Sequence, residues 1–130
     1  MEAKNLRIGN FIASGSNPKN IETWVIGKVH SISSMDSEFE QIEIETEEGF
    51  TWFFKDNYFG IPLTEKWLID LGFRKDEETN YRWFMEDWLA YDLDDNCIRI
   101  SDSWEFGKRK YVHELQNLFF AITGRELELK

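Results

Sequence analysis

The stretch QIEIETEEGFTWFF, residues 41–54, decides how the first half of the chain folds. From residue 40 to residue 46 the side chains alternate, with Ile42 and Ile44 on one face and polar residues on the other. This period of two is typical of a β-strand that has one buried face and one wet face. Glu47-Glu48-Gly49 then supplies a tight turn, because glycine accepts a positive φ. The pattern predicts a β-hairpin whose second strand covers residues 50–54.

The aromatic residues of that second strand are candidates for the core. Phe50, Trp52 and Phe54 share one face of the strand, and we expect this face to point inward. Further strands are expected within residues 6–13 and 23–32, on either side of a loop of turn-forming residues. Together these segments predict that residues 1–62 form a strand-rich half, which is either a small SH3-like barrel or a curled open sheet.

The second half of the chain predicts a helix, an antiparallel sheet and a second helix. Thr64 is a good N-cap and Gly72 a good left-handed C-cap, so we expect a short helix over residues 65–71. The turn formers Asp94-Asp95-Asn96 separate the last two of three expected strands. These strands lie near residues 81–86, 88–93 and 97–102.

The last helix has the strongest helical pattern in the chain, from Tyr111 to Thr123. Its expected buried stripe holds Tyr111, Leu115, Leu118 and Ile122, and Gly124 ends it. Residues 125–129 are expected to add an edge strand. The fold class predicted is therefore α+β, as a single domain 1–130 in which the strand-rich half, residues 1–62, packs on the helix-sheet-helix half, residues 63–130.

Composition restricts the classes of function. The 130 residues carry 25 acidic and 15 basic side chains and a formal net charge of −10, so the overall field disfavours direct nucleic-acid binding. The start of the chain has no apolar signal region, and no stretch approaches the roughly 20 apolar residues of a membrane span. We therefore expect a cytoplasmic protein that does not enter a membrane.

Three segments resemble a family of small uncharacterised proteins from Bacteroides-type gut bacteria and their phages and mobile elements. They are LRIGNFI at residues 6–12, IPLTEKWLIDLGF at 61–73 and YVHELQNLFFAITGRELEL at 111–129. The resemblance spans nearly the whole chain. It implies a host and a phage-related or mobile-element setting, but it implies no reaction and transfers no functional residue.

The sequence contains no recognisable catalytic motif. Serines occur without a Gly-x-Ser-x-Gly elbow, and glycines without a phosphate-binding or dinucleotide-binding pattern. Cys97 is the only cysteine, which excludes an intramolecular disulfide, and its strand-like setting favours a buried thiol. We expect no catalysis and no cofactor.

Metal binding is also not expected. The run Asp92–Asn96 begins like a calcium loop, but Cys97 stands where the bend needs glycine. His30 and His113 are the only histidines, and neither has a second ligand at a known metal-binding interval.

Two groups of residues are candidates for an interaction surface. Glu43, Glu45 and Glu47 belong to an acidic run that also includes Glu38, Glu40 and Glu48. This run is either a solvated strand that resists aggregation or a mimic of a phosphate backbone. The aromatic content of 16% exceeds what a core of this size buries completely, so aromatic surface is expected. The candidate aromatic residues are Trp24, Trp88, Trp104 and Phe106.

The function expected from these features is non-catalytic binding of another protein. One alternative is inhibition of a host defence or nucleic-acid enzyme through the acidic hairpin. Another is binding or turnover of a small ligand at the seam between the two halves, using His30 or His113. A homodimer is compatible with exposed aromatic residues.

Overall fold

The computed structural model describes residues 5–33, 40–100 and 104–130, and for Lys55, Trp104 and Phe106 it describes the backbone alone. The chain divides into two compact units, Met1–Ile61 and Pro62–Lys130. This division lies close to Ile61-Pro62-Leu63-Thr64, where the strand-like pattern of the sequence gives way to the capped helix.

The first unit holds one antiparallel sheet of five strands in the order β4-β3-β2-β1-β5. The sheet is open, because β4 and β5 form its two edges, so the barrel alternative is wrong and the open-sheet alternative is confirmed. Single 3-10 turns cover Ile21–Thr23 and Lys55–Asn57. The strands are β1 (Phe11–Ser14), β2 (Val25–Ile32), β3 (Gln41–Thr46), β4 (Gly49–Phe54) and β5 (Tyr58–Phe59).

The core of this unit lies against one face of its sheet. Ile42 and Ile44 of β3 are fully buried, as their alternation predicts. Burying side chains of this size stabilises the fold by about 1.5–3 kcal/mol each. The other members of the cluster are Leu6, Ile12, Val29 and Tyr58, with Ile32 and Phe53 packed against it.

The predicted inward direction of Phe50, Trp52 and Phe54 is wrong. These side chains are exposed, while Phe53 contacts the core. The reason is the two-residue loop Glu47-Glu48, which sets the register of the hairpin and places the even-numbered residues of β4 opposite the odd-numbered residues of β3. Residues directly opposite each other share a face of the sheet. The three aromatic side chains therefore stand on the wet face.

The second unit also holds a five-stranded antiparallel sheet, in the order β10-β9-β8-β7-β6. Each strand pairs with its neighbour in sequence, so the sheet is a simple meander. Two such sheets with two helices confirm the α+β class. The elements are α1 (Glu65–Asp70), β6 (Arg74–Lys75), β7 (Arg82–Met85), β8 (Leu89–Asp92), β9 (Cys97–Ile100), β10 (Trp104–Lys108) and α2 (Val112–Thr123).

Helix α1 begins after its predicted N-cap and both helices end at their predicted glycines, whereas α2 begins at Val112, one residue later than predicted. The Thr64 hydroxyl accepts a hydrogen bond from the Trp67 amide, and Gly72 has a φ of +95° just after α1. Gly124 ends α2 with a φ of +71°. Leu115 and Leu118 are buried on α2 as predicted, but Tyr111 and Ile122 are exposed.

Two strands of the second unit were not predicted, and one predicted strand is wrong. β6 has two residues, and β10 contains Gly107 at a register shift, so neither shows a regular alternation. Residues 126–130 adopt no regular secondary structure. They are held instead by a hydrogen bond from the Lys130 amide to the Asp70 carbonyl and by the buried Leu127. Among the described residues, no helix is long and apolar enough to cross a membrane.

Candidate functional site: the exposed face of the β3–β4 hairpin

The wet face of the first sheet carries a row of side chains that crosses four strands. Phe11 of β1 lies opposite Lys28 of β2, Lys28 lies opposite Glu45 of β3, and Glu45 lies opposite Phe50 of β4. The Lys28 ammonium lies 5.3 Å from the centre of the Phe11 ring. The row therefore runs from a buried aromatic ring, Phe11, through a cation and an anion to the exposed ring of Phe50 at the sheet edge.

A second group of side chains stands beside this row. Glu43 lies opposite Trp52, and its Oε1 is 3.9 Å from Nε2 of His30. The His30 ring lies 4.7 Å from the Phe50 ring. The bulge in β2 between Val29 and Ser31 sets the local register beside His30.

The three aromatic side chains of β4 are all exposed on this surface. Phe50 is 56% exposed, Trp52 is 45% exposed and Phe54 is 53% exposed. Residues 41–54 contain four glutamates and no lysine or arginine. We call Glu43, Glu45, Phe50, Trp52 and Phe54 the hairpin face. It offers apolar rings to a binding partner, with carboxylates beside them.

The predicted acidic run is only partly on this surface. Glu45 and Glu47 are exposed and Glu43 is half-buried, so these three predicted residues lie on the hairpin. Glu40 is buried, and its Oε1 accepts a hydrogen bond of 2.9 Å from the Tyr58 hydroxyl. Glu40 therefore belongs to the interior, and Glu38 lies outside the described residues.

The predicted tryptophans Trp24 and Trp88 are half-buried and have structural contacts. The Trp24 indole donates to the Asn17 carbonyl and packs 4.9 Å from the Phe59 ring of β5, at the opposite edge of the sheet from β4. The Trp88 indole, in the second unit, donates to Glu86 and stacks on the Phe119 ring. These contacts hold loops and helix α2 in place.

The other two predicted aromatic residues, Trp104 and Phe106, lie on β10. Their side chains fall outside what the structure describes. The structure therefore brings Glu43 and Glu45 together with three aromatic residues that the sequence had assigned to the core. The parity of the two-residue loop is the signal that could have found them.

The two histidines have different surroundings. His30 is exposed beside the hairpin face, whereas His113 is 4% exposed in the first turn of α2 and stacks on the Tyr111 ring. Burial lowers the pKa of His113, which keeps its imidazole neutral, and no described residue hydrogen-bonds its Nδ1. Each histidine belongs to a different unit.

The carboxylates of Asp92, Asp94 and Asp95 lie within 4.8 Å of one another. The negative charge of Asp92 is already balanced by two arginines, because Arg82 donates to both of its oxygens and Arg99 donates to Oδ2 at 3.0 Å. Burial raises the pKa of Asp92, but the hydrogen bonds from the two guanidinium groups outweigh it and hold this pKa below its usual range. A cation would have to compete with two arginines here, so the cluster is a poor metal site.

The surroundings of Cys97 do not favour a nucleophile, and the lining of one cleft does not favour a small-molecule site. Burial raises the pKa of the Cys97 thiol to about 11, which disfavours the reactive thiolate. A cleft of about 730 Å³ in the second unit is lined by Arg74, Lys75, Asp76, Glu77, Glu78, Phe84, Glu86 and Asp87. Small-molecule sites have mainly apolar walls, which this cleft lacks.

The fold and the hairpin face together define an α+β protein with two antiparallel sheets, one of which presents an aromatic and acidic edge. No family model matches the chain, and no curated protein or solved structure is significantly similar to it.

Proposed function

We propose that this protein binds another protein through the hairpin face and carries out no catalysis itself. The observation that carries this proposal is the row of three exposed aromatic side chains on β4, Phe50, Trp52 and Phe54. Aromatic residues with large exposed area are common anchors of protein interfaces, where their burial dominates the binding energy. Contiguous apolar surface of this kind is unusual on a protein that has no partner.

The charges on the same face favour a protein partner over nucleic acid. The two glutamates of the hairpin face and the two of the adjoining loop repel phosphates, and the overall charge of −10 has the same effect. The carboxylates beside Phe50 and Trp52 would select a partner surface that carries lysine or arginine.

Phosphate mimicry, in which the glutamates occupy the basic groove of a nucleic-acid enzyme, is the second candidate. The run of four glutamates without a cation favours it. A neighbouring cation weakens the negative field, since Lys28 lies directly opposite Glu45. The aromatic rings also have no counterpart in a phosphate backbone. Docking through the rings therefore accounts for more of the face.

Site-specific photo-crosslinking tests this proposal. A photoreactive phenylalanine analogue replaces Trp52 in one variant, Ile21 in a second and Ile69 in a third, and each protein is irradiated in the native host. Ile21 and Ile69 are matched controls because both are exposed apolar residues outside the first sheet, Ile21 in a 3-10 turn and Ile69 on α1.

We expect a defined crosslinked adduct from position 52 and little adduct from positions 21 and 69. Equal yields from all three positions would contradict a specific hairpin interface. If the position-52 adduct is a nucleic-acid enzyme and the adduct is lost when Glu43 and Glu45 become glutamine, but persists when Phe50 becomes serine, phosphate mimicry is the better account.

A further inference from the structure

We infer that the partner supplies a basic extended segment, which pairs with β4 as an additional strand and places lysine or arginine side chains on the hairpin face. This inference rests on the proposed function and specifies the chemistry of the partner. It combines two observations, the state of the β4 edge and the side chains beside it.

β4 differs from the other three sheet edges in the described stretches of the chain. An exposed edge strand is a template for pairing with another chain, and proteins usually protect it by shortness, charge, proline or a bulge. β5 and β6 have only two residues each, and β6 consists of Arg74 and Lys75. β10 has a register shift between Glu105 and Gly107. These three edges therefore carry protecting features.

β4 carries none of these features within its own six residues. Its pairing with β3 runs without interruption from Thr46↔Gly49 to Gln41↔Phe54. The strand sequence GFTWFF contains no charged residue and no proline. A regular, apolar edge of this length is suited to adding a strand, in which backbone hydrogen bonds give affinity and alternate side chains give specificity.

The side chains around β4 determine what such a strand should carry. Residues on the wet face of an added strand would stand directly opposite Phe50, Trp52 and Phe54, about 4.8 Å away. A lysine or arginine there can lie over an aromatic ring. Its charged end can also reach toward Glu43 and Glu45, which stand one strand further in, because the long aliphatic stem extends along the rings. Cationic side chains at alternate positions of the added strand therefore complement both the aromatic side chains of β4 and the glutamates of β3.

The same charges disfavour a second copy of this chain as the occupant. Two β4 edges in contact would bring the glutamates of both hairpins onto one surface without adding a cation from residues 41–54. The two sets of glutamates would lie three strand spacings, roughly 14 Å, apart, so a second copy supplies them with no pairing charge. A basic segment on a different protein supplies that charge from the adjacent strand.

Fluorescence anisotropy with labelled peptides tests the inference on the full chain. The first peptide alternates lysine with valine, and the second replaces each lysine with glutamate. The third keeps the lysine-valine sequence but carries N-methyl groups along one backbone edge, which removes the donors that strand pairing needs. The protein variants are Trp52→Thr, the double variant Glu43→Gln/Glu45→Gln and the control Ile69→Thr, each first checked for folding by circular dichroism.

We expect the lysine-valine peptide to bind, with Kd rising about tenfold or more on N-methylation, and no binding of the glutamate peptide. Trp52→Thr and Glu43→Gln/Glu45→Gln should each raise Kd about threefold to tenfold, and the double variant should also bind with a weaker salt dependence. Ile69→Thr should leave Kd unchanged.

Equal affinity for the N-methylated peptide would overturn the strand-addition inference, and equal affinity for the glutamate peptide would overturn its charge requirement. A dimer in sedimentation that Trp52→Thr dissociates would show that a second copy occupies the edge and would also overturn the inference. If position 52 gives a specific crosslink but the lysine-valine peptide does not bind, this inference fails and the proposed function stands. If both are absent, both fail.

Discussion

At the scale of single residues, the buried Asp92 carboxylate pairs with two arginine side chains in the second unit. It is 2% exposed and bridges Arg82 of β7 and Arg99 of β9, so one carboxylate ties three neighbouring strands together. The Arg82 side chain is 25% exposed and the Arg99 side chain 28% exposed. The arrangement explains why an acidic residue can stand within a sheet core and why it is not available to a metal.

Replacing this carboxylate tests its contribution to stability. We expect Asp92→Asn to lower the free energy of unfolding by about 2 kcal/mol, because both guanidinium groups lose a charged acceptor. The control is Asp70→Asn, which removes the exposed pair with Lys66 and should cost about 0.5 kcal/mol or less. Urea denaturation at neutral pH measures both. Equal losses for the two variants would contradict a special role for Asp92.

The same variant carries a pH prediction. The folded-state pKa of Asp92 is lowered, so its stabilising contribution is present above the unfolded pKa of about 3.9 and is lost as the pH falls through the folded value. The difference in unfolding free energy between the wild type and Asp92→Asn should therefore shrink below about pH 4. A difference that stays constant down to pH 2, roughly two units below that unfolded value, would show that the charge is not its source.

At the scale of elements, the close pairing of β2 and β3 depends on a glycine. A Cβ at Gly27 would meet the Glu45 carbonyl oxygen, and it would lie 2.5 Å from Cγ2 of Ile44 and 2.9 Å from Cγ2 of Thr46. Because the first of these contacts is with backbone, the strands would have to move apart. This close approach also supports the side-by-side placement of Lys28 and Glu45 on the wet face of the sheet.

We expect Gly27→Ala to lower the free energy of unfolding by about 1–3 kcal/mol through overpacking. The control Val25→Ala lies in the same strand at a half-exposed position and should cost less than about 1 kcal/mol. Thermal and urea unfolding measure the two variants. A stability of Gly27→Ala equal to that of the wild type would show that the strands do not approach so closely.

Much of the secondary structure could be predicted from the sequence, and the missed elements have physical reasons. The alternation in β3 and the caps of α1 and α2 are local signals, and these elements were placed correctly. β6 and β10 are too short or too irregular to show a period, because their pairing is set by neighbouring strands.

The candidate site was only half predicted. Glu43 and Glu45 were correctly placed on a wet face, but Phe50, Trp52 and Phe54 were assigned to the core because aromatic residues are expected to be buried. The two-residue loop makes the two assignments incompatible, since it puts both sets on one face. No sequence signal marks the half-buried positions of Trp24 and Trp88, which depend on ring contacts with Phe59 and Phe119.

At the scale of the whole molecule, two buried tyrosine hydroxyls should make the free energy of unfolding fall at alkaline pH. Burial raises the pKa of Tyr58 in the first unit and of Tyr91 in the second, each above the usual value of about 10. Groups whose folded-state pKa is raised contribute stability below the unfolded pKa and lose it as the pH rises toward the folded value. Both units should therefore lose stability above about pH 10.

Tyr58→Phe isolates one of these groups. At neutral pH the variant should lose about 1–2 kcal/mol, because the buried Glu40 loses the hydroxyl donor at 2.9 Å. The difference from the wild type should narrow above about pH 10, where the phenol of the unfolded wild type ionises. Urea denaturation across this range measures the difference. A gap that widens with pH would contradict the sign of the shift.

The central claim concerns the hairpin face as the surface that holds the partner. Its most direct test measures how much of the partner identified by crosslinking at position 52 is recovered with tagged full-length protein from the native host. The test compares the double variant Phe50→Ser/Trp52→Ser with the matched control Ile21→Ser/Ile69→Ser. Both variants remove two exposed apolar side chains, so both should keep the fold. We predict that the hairpin variant recovers about a tenth or less of the partner that the control recovers, as expected when central aromatic anchors are lost. Equal recovery by the two variants would contradict the claim.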